Sequence, residues 1–367
     1  MAPAPSVSDR LAVIDGLFPP SWAEPWDNVG LQLGDRHAAA ERVLVALDPT
    51  IDVIREAAGR GCGLLVTHHP LVFEPLRSLD LAAPLAGAVA EAIRSGVAVA
   101  ACHTNADVAR PGVSDALAEA LDLRVEGVLR PTTAGRRVKV TTFVPPEATE
   151  KVLDAMAAAG GGRIGEYSAC SFRVRGTGTF VPSAAADPAV GERGTLNQVE
   201  EDRLEMVVPG HLVGPLVAAM IEAHPYEEVA YDVVPLEGGE ELGLGRITRT
   251  EDAISAGDLL ERCRERLGPG ARIVGDVSRP LTTIAVCGGS GTSLIPDALA
   301  ADADAFVTGD VKHHQALDAI AAGLVLIDAG HHATEWPFVL RLAARLRGAM
   351  PDAEILLSET RTEPFAP

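Results

Sequence analysis

The chain has 367 residues, 47% of them hydrophobic, with 31 Lys and Arg against 51 Asp and Glu and a formal net charge of −20 at pH 7. That length supplies two or three domains, and an aromatic content of only 4% means their cores are built from Ala, Val, Leu and Ile. The acidity argues against nucleic acid, whose phosphates need basic patches, and against anionic membrane surfaces.

The first third alternates strand-like and helix-like segments. ERVLVALD (41–48) reads as a strand and DVIREAAGRG (52–61) as a helix ended by glycine. LLVTHHP (64–70) is a buried strand running into a His pair, followed by a helix over about 82–95. The strand VAVAACHTNAD (97–107) and the helix VSDALAEAL (113–121) complete this part. Repeated β–α–β alternation predicts an α/β fold with largely parallel sheets, covered by helices on both faces.

The middle changes character. RRVKVTTFVPP (136–146), CSFRVRGTGTFVP (170–182), RLEMVVP (203–209) and VAYDVVPL (229–236) read as strands, with helices over 147–160 and 212–224. The order β–α–β–β–α–β is that of a ferredoxin-like module. Its joints fall near 134 and 240, so the expected domains are 1–134, the insertion 135–240, and 241–367. The last third resumes the first rhythm: LTTIAVCGGSG (281–291), AFVTGD (305–310), LVLIDAGHH (324–332) and AEILLSE (353–359) are strands. Helices run from about 293, over 313–323 and from about 335 to 348.

The opening MAPAPSVSDRLAVIDGLFPP carries one basic residue and no long apolar run, unlike a signal peptide. No stretch approaches the roughly 18 apolar residues of a membrane span. Cys62, Cys102, Cys170, Cys263 and Cys287 are odd in number and form no CxxC pair, which fits a reducing compartment. The expected location is the cytoplasm.

The chemistry gathers at strand ends. His68 and His69, His103, His313 and His314, and His331 and His332 form four clusters, each after an apolar strand. Ligands of open α/β sheets bind at the carboxyl ends of strands, so residues distant in sequence can meet on one edge. Adjacent His68 and His69 on extended backbone point to opposite sides and suit two different metals; they can equally be polar loop residues. Asp107 can bridge two cations, with His103 and Asn105 orienting ligands by hydrogen bonding, or it can cap a helix. If a helix begins at His331, then His331 and Glu335 share one face at i and i+4. His332 then points elsewhere. An acidic residue is also welcome at an ordinary helix start.

Three His and two carboxylates suit imidazole-binding divalent ions such as Zn, Fe(II), Mn or Co, and a pair of such ions suits hydrolysis. Asp310, with Lys312, His313 and His314, marks a polar strand end that can contact substrate or shuttle protons, or be a solvated helix start. The turn Cys287-Gly288-Gly289-Ser290-Gly291 can cradle a phosphate on its backbone N–H groups; tight packing explains its glycines equally well. His37, His211 and His224 stand outside the clusters and read as structural.

WDNVGLQLGD (26–35), VTHHP (66–70), HTNAD (103–107), CGGSG (287–291), VTGDVKHH (307–314) and DAGHHATE (328–335) together resemble the NIF-three-like dinuclear metal-centre family. Many of its members carry the label GTP cyclohydrolase I type 2 homologue. The resemblance covers nearly the whole chain and implies two divalent metal ions per subunit (Zn, Fe or Mn) on His68, His69, Asp107, His331 and Glu335. It also implies a toroidal homohexamer. The insertion, through GRIGEYSACSF (162–172) and HPYEEVAYD (224–232), resembles the PII/CutA-like module of longer bacterial members.

The expected function is therefore metal-dependent hydrolysis of a nucleotide or another phosphorylated small molecule, with His103, Asp310 and His332 as acid–base groups. The alternative is a non-catalytic metal chaperone, insertion factor or regulatory adaptor.

Overall fold

The computed structural model describes residues 4–132, 135–239 and 241–365. Contacts divide the chain into two compact units: Met1–Thr132 with Leu242–Pro367, and Thr133–Glu241. The joints expected near 134 and 240 lie outside the described residues. In chain order the strands are β1 (Gly30–Leu33), β2 (Arg42–Ala46), β3 (Leu64–Thr67), β4 (Ala98–Ala101), β5 (Arg124–Pro131), β6 (Arg136–Val144), β7 (Ser171–Phe180) and β8 (Asn197–Pro209). They continue as β9 (Tyr231–Gly239), β10 (Gly243–Ser255), β11 (Arg272–Val274), β12 (Pro280–Val286), β13 (Ala305–Thr308), β14 (Val325–Asp328) and β15 (Glu354–Leu357).

The first unit holds two sheets. One has the order β1-β4-β3-β2-β15; all its neighbours are parallel except β1, which runs antiparallel to β4. Its central strands are short, apolar and almost wholly buried, as strands covered on both faces must be. Alternate residues feed two cores. Val43, Val45, Leu64 and Val66 pack with Phe338 and Leu342 of the helix His331–Ala349. Leu44, Ala46 and Leu65 pack with Val53 and Ile54 of the helix Ile51–Gly59 and with Val89 of the helix Pro84–Ser95. These helices begin and end where the chain chemistry dictates. Thr50 caps the first by accepting the Val53 N–H, and the second opens on Pro84 and ends at Gly96 with φ 71°.

The other sheet has the order β11-β14-β13-β12-β10-β5. Only β12, β13 and β14 are parallel; β5, β10 and β11 run antiparallel to their neighbours. The expectation of largely parallel sheets therefore holds for the first sheet and not for the second. The reason is the insertion: the chain leaves along β5 and returns along β10, and antiparallel pairing brings exit and entry side by side, with Gly243 opposite Pro131. The helix Val113–Ala120 lies between the two cores, giving Val113 and Ala116 to one and Leu117 and Ala118 to the other.

Boundaries near the His clusters differ from expectation: the strands read over 64–70 and 324–332 stop at Thr67 and Asp328, before their His pairs. The strand read through residue 107 stops at Ala101, and a short helix, Thr104–Val108, follows. It starts there because Asp27 accepts the Thr104 N–H at 3.0 Å, capping the turn from a distant segment. The last helix begins at His331, four residues before the expected 335.

The second unit, by itself, is a four-stranded antiparallel sheet of order β7-β8-β6-β9. The helices Thr149–Ala158 and Val213–Ala223 bury Val152, Met156, Leu216 and Met220 against Val140, Val144, Leu204 and Met206 on one of its faces. Among the described residues no helix is long and apolar enough to cross a membrane.

Candidate metal centre

His68 and His69 directly follow β3, Asp107 sits on the short helix after β4, and His331 and Glu335 occupy the first turns of the helix after β14. These five residues come together. Nε2 of His68 lies 3.7 Å from Oδ1 of Asp107 and 3.5 Å from Oε1 of Glu335. The other Glu335 oxygen, Oε2, lies 3.0 Å from Nε2 of His69 and 3.2 Å from Nε2 of His331. Glu335 thus presents one carboxylate oxygen to His68 and the other to His69 and His331. Ligand atoms of His69, His331 and Glu335 all lie within 4.8 Å of one another, as do those of His68, His69 and His103.

Each ring is oriented by a bond on its Nδ1 side. His68 faces the Cys102 carbonyl at 2.8 Å, His69 faces Asp48 at 2.7 Å, His331 faces Asp310 at 2.7 Å and His103 faces Asp27 at 2.8 Å. These partners are acceptors, so they place the ring proton on Nδ1, and in His68, His69 and His331 the Nε2 lone pair is left facing the pocket. The consequence is electrostatic crowding. Nε2 of His69 and of His331 approach to 3.2 Å beside a carboxylate oxygen. Among the described residues, Nε2 of His68 and Oε2 of Glu335 are buried and find no geometrically satisfied hydrogen bond. Buried acceptors converging in this way call for a cation, and three imidazoles with two carboxylates form a donor set suited to a borderline divalent ion. The residues present fit a metal.

The titration behaviour agrees. Burial alone would push the Glu335 carboxyl up, but His68, His331 and His69 outweigh it and hold it well below the usual carboxylate range. Burial opposes protonation of His69, yet Asp48 and Glu335 push the ring up to about 10. The Glu335 carboxylate is the largest influence on His331, which rises to about 9. Burial raises the Asp107 carboxyl despite the facing histidines. Without metal, the pocket therefore gathers protons in the place of larger cations.

The glycine-rich turn 287–291 serves this pocket by close packing. Gly289 has φ +63°, and a Cβ there would stand 2.1 Å from Oε1 of Glu335. Its N–H donates to Thr334 Oγ1 at 2.9 Å, and the Gly291 N–H donates to Thr308 Oγ1 at 2.9 Å. Both amides are engaged within the fold and are not offered to a phosphate.

The remaining expected residues are placed differently. Asp310, expected as an acid–base group, is bonded to His331. His332 is outside the ring cluster, stacked on Trp336 at 5.4 Å between centroids, with its Nε2 buried and, among the described residues, unpartnered. Lys312, His313 and His314 are exposed at the start of the helix His313–Ala321. Asn105, expected to orient ligands, instead donates to the Phe18 carbonyl at 2.8 Å. His224 is structural, with its Nε2 donating to the Phe143 carbonyl at 3.0 Å. Asp27 and Asp48 were not singled out from sequence. Asp48 carried a usable signal, since it ends an apolar strand as the His clusters do.

Fold and site together define a mixed α/β protein whose His and Glu side chains can hold a metal ion. More particularly, the chain belongs to the Duf34/NIF3 (NGG1p interacting factor 3) family, which matches residues 5–364. A Halalkalibacterium halodurans protein named GTP cyclohydrolase 1 type 2 homolog is 38% identical over 352 residues, covering 95% of both chains. A Mycobacterium tuberculosis protein of the same name is 40% identical over 347 residues, covering 93% of this chain and 91% of its own. Among solved structures, the Bacillus cereus protein related to NIF3 superposes with a TM-score of 0.79 at 38% identity over 100% of both chains.

Proposed function

We propose that the site is a dinuclear centre, with His68, Asp107 and Glu335 holding one divalent ion and His69, His331 and Glu335 the other. The observation that carries this is the division of Glu335: its two oxygens face two separate groups of imidazoles. Zn, Fe or Mn suits such ligands. The reading extends to hydrolysis of a nucleotide or another phosphorylated small molecule, in keeping with the name its relatives carry.

A bound ion pair would supply Lewis-acid chemistry suited to hydrolysis. The chain's own acid–base group is His103. Asp27, whose side chain is fully buried, holds its Nδ1 side at 2.8 Å, while a ring nitrogen lies within 4.8 Å of those of His68 and His69. His103 takes a proton from the attacking water and returns it to the leaving group, with Asp27 stabilising the charged ring. Asp310 is a positioning residue acting through His331. Exposed Trp26 and Phe73 stand 6.4 and 6.2 Å from the His103 ring and offer a planar substrate an apolar surface.

The test is metal content per subunit together with hydrolysis of nucleotide and sugar-phosphate panels. About two equivalents of metal are expected, lost together with activity in Glu335→Ala. A variant that loses metal yet hydrolyses at the wild-type rate overturns the catalytic reading.

A second reading is a non-catalytic metal carrier, insertion factor or regulator. It draws on the strand order of the Thr133–Glu241 unit, which we read as a ferredoxin-like, PII/CutA-like regulatory module. Metal binding without hydrolysis of any panel member favours it. In either case we read the protein as a cytoplasmic toroidal homohexamer, which sedimentation velocity tests.

A further inference from the structure

The HPYEE run at 224–228 has no part in the metal centre, yet it frames a cavity. On β6 and β8 the alternation that sends Val144 and Leu204 toward the helices sends Phe143 and Glu201 to the opposite face of the sheet. Phe180 of β7 joins them there, opposite Asn197. The segments 182–190 and 226–230 border this end of the sheet and, with it, form a half-open pocket of about 460 Å³, within the range of small-molecule sites.

The cavity is built rather than incidental. His224 donates through Nε2 to the Phe143 carbonyl at 3.0 Å and accepts the Tyr226 N–H on Nδ1 at 3.1 Å, pinning Tyr226 beside β6. Oε2 of Glu227 accepts the Asp187 N–H at 2.8 Å, joining the two covering segments. Glu201 leans across Gly178, where a Cβ would stand 2.0 Å from its Oε2. Only glycine there leaves the carboxylate its position.

The lining has a one-sided chemistry. Phe143, Phe180 and Tyr226 supply aromatic surface in a chain with only 8 Phe and 3 Tyr. Glu201, Glu227 and Glu228 supply carboxylates, and among the described residues no Lys, Arg or His lines the cavity. The Tyr226 hydroxyl is buried beside Glu201, and burial together with that carboxylate pushes its pKa up. Aromatic faces and carboxylates around an apolar space select a positive charge on an apolar body. We propose that the Thr133–Glu241 unit carries a second ligand site, which takes a small organic ammonium ion with an apolar or aromatic body.

The test uses the full-length, metal-loaded protein and three probes of similar size: benzyltrimethylammonium, benzyl alcohol and benzoate. Saturation-transfer NMR and calorimetry should show the cation binding most tightly and benzoate not at all. Glu201→Gln should weaken the cation by about tenfold or more and leave benzyl alcohol unchanged. Ala189→Trp, which fills the cavity, should abolish binding of both while metal content and thermal unfolding stay as in the wild type. The proposal is overturned if benzoate binds as well as the cation, if none of the three binds, or if Glu201→Gln leaves the cation affinity unchanged.

Discussion

Nδ1–H of His69 donates to Oδ1 of Asp48 across 2.7 Å, joining two residues that each lie two positions past the end of adjacent parallel strands, β2 and β3. The bond fixes the tautomer that turns Nε2 toward Glu335. Such orienting partners are typically worth about 10–100-fold in metal affinity. Asp48→Ala should weaken metal binding by that factor, as should Asp310→Ala through His331. Competition with a chromophoric chelator measures both.

Metal uptake should be proton-coupled. His69 and His331 are pushed up to about 10 and about 9 in the metal-free site, so at neutral pH they hold protons that a metal must displace. Affinity should rise with pH between 6 and 8, with proton release on binding. Calorimetry in buffers of different ionisation enthalpy reads the proton count directly, and a pH-independent affinity contradicts the arrangement.

Gly289→Ala should disable the centre without removing a ligand. The new methyl would overlap Oε1 of Glu335, and φ +63° adds backbone strain. A loss of about 1–3 kcal/mol in stability is expected, with metal content falling well below that of the wild type. Thermal unfolding and elemental analysis check the two parts separately.

Glu56 ties down the C-terminal segment, accepting from Ser358 and Thr360 hydroxyls at 2.7 Å each and from the Glu359 and Thr360 N–H groups. Burial raises its pKa, but these donors outweigh it and bring the carboxyl down from 4.5 to about 2. A folded-state pKa below the unfolded value contributes stability that is complete above about pH 5 and is lost as pH falls toward 2. Glu56→Gln should flatten that acid-side slope. Denaturant midpoints measured between pH 3 and 7 test it.

Arg246 is wholly buried and donates to Oδ2 of Asp115, to the Gly243 and Gly245 carbonyls and to the Ala109 carbonyl just beyond the Asp107 helix. Arg246→Met leaves Asp115 without its ion-pair partner and should cost about 3–5 kcal/mol. The double variant with Asp115→Asn should recover part of that loss in urea unfolding.

Much of the centre was legible in the chain because its signals are local. Each His cluster ends a short apolar run, and the i, i+4 spacing of His331 and Glu335 needs only a helix to bring them onto one face. The turn 287–291 was ambiguous for the opposite reason: a glycine-rich turn reads alike whether its amides wait for a phosphate or meet threonines 17 and 45 residues away.

By itself, the sequence determined the β/α rhythm and the five residues that gather at the site, since hydrophobic periodicity and residue chemistry act over a few neighbours. Only the tertiary structure decided how Glu335 divides its oxygens among three histidines, and that Asp48, Asp310 and Asp27 orient the rings. It also decided that β5 and β10 make the second sheet mixed; β10 has no continuous apolar run to announce it. These outcomes depend on side chains separated by up to hundreds of residues meeting in a low-dielectric pocket, where a change of an ångström or of one proton alters which contacts are favourable.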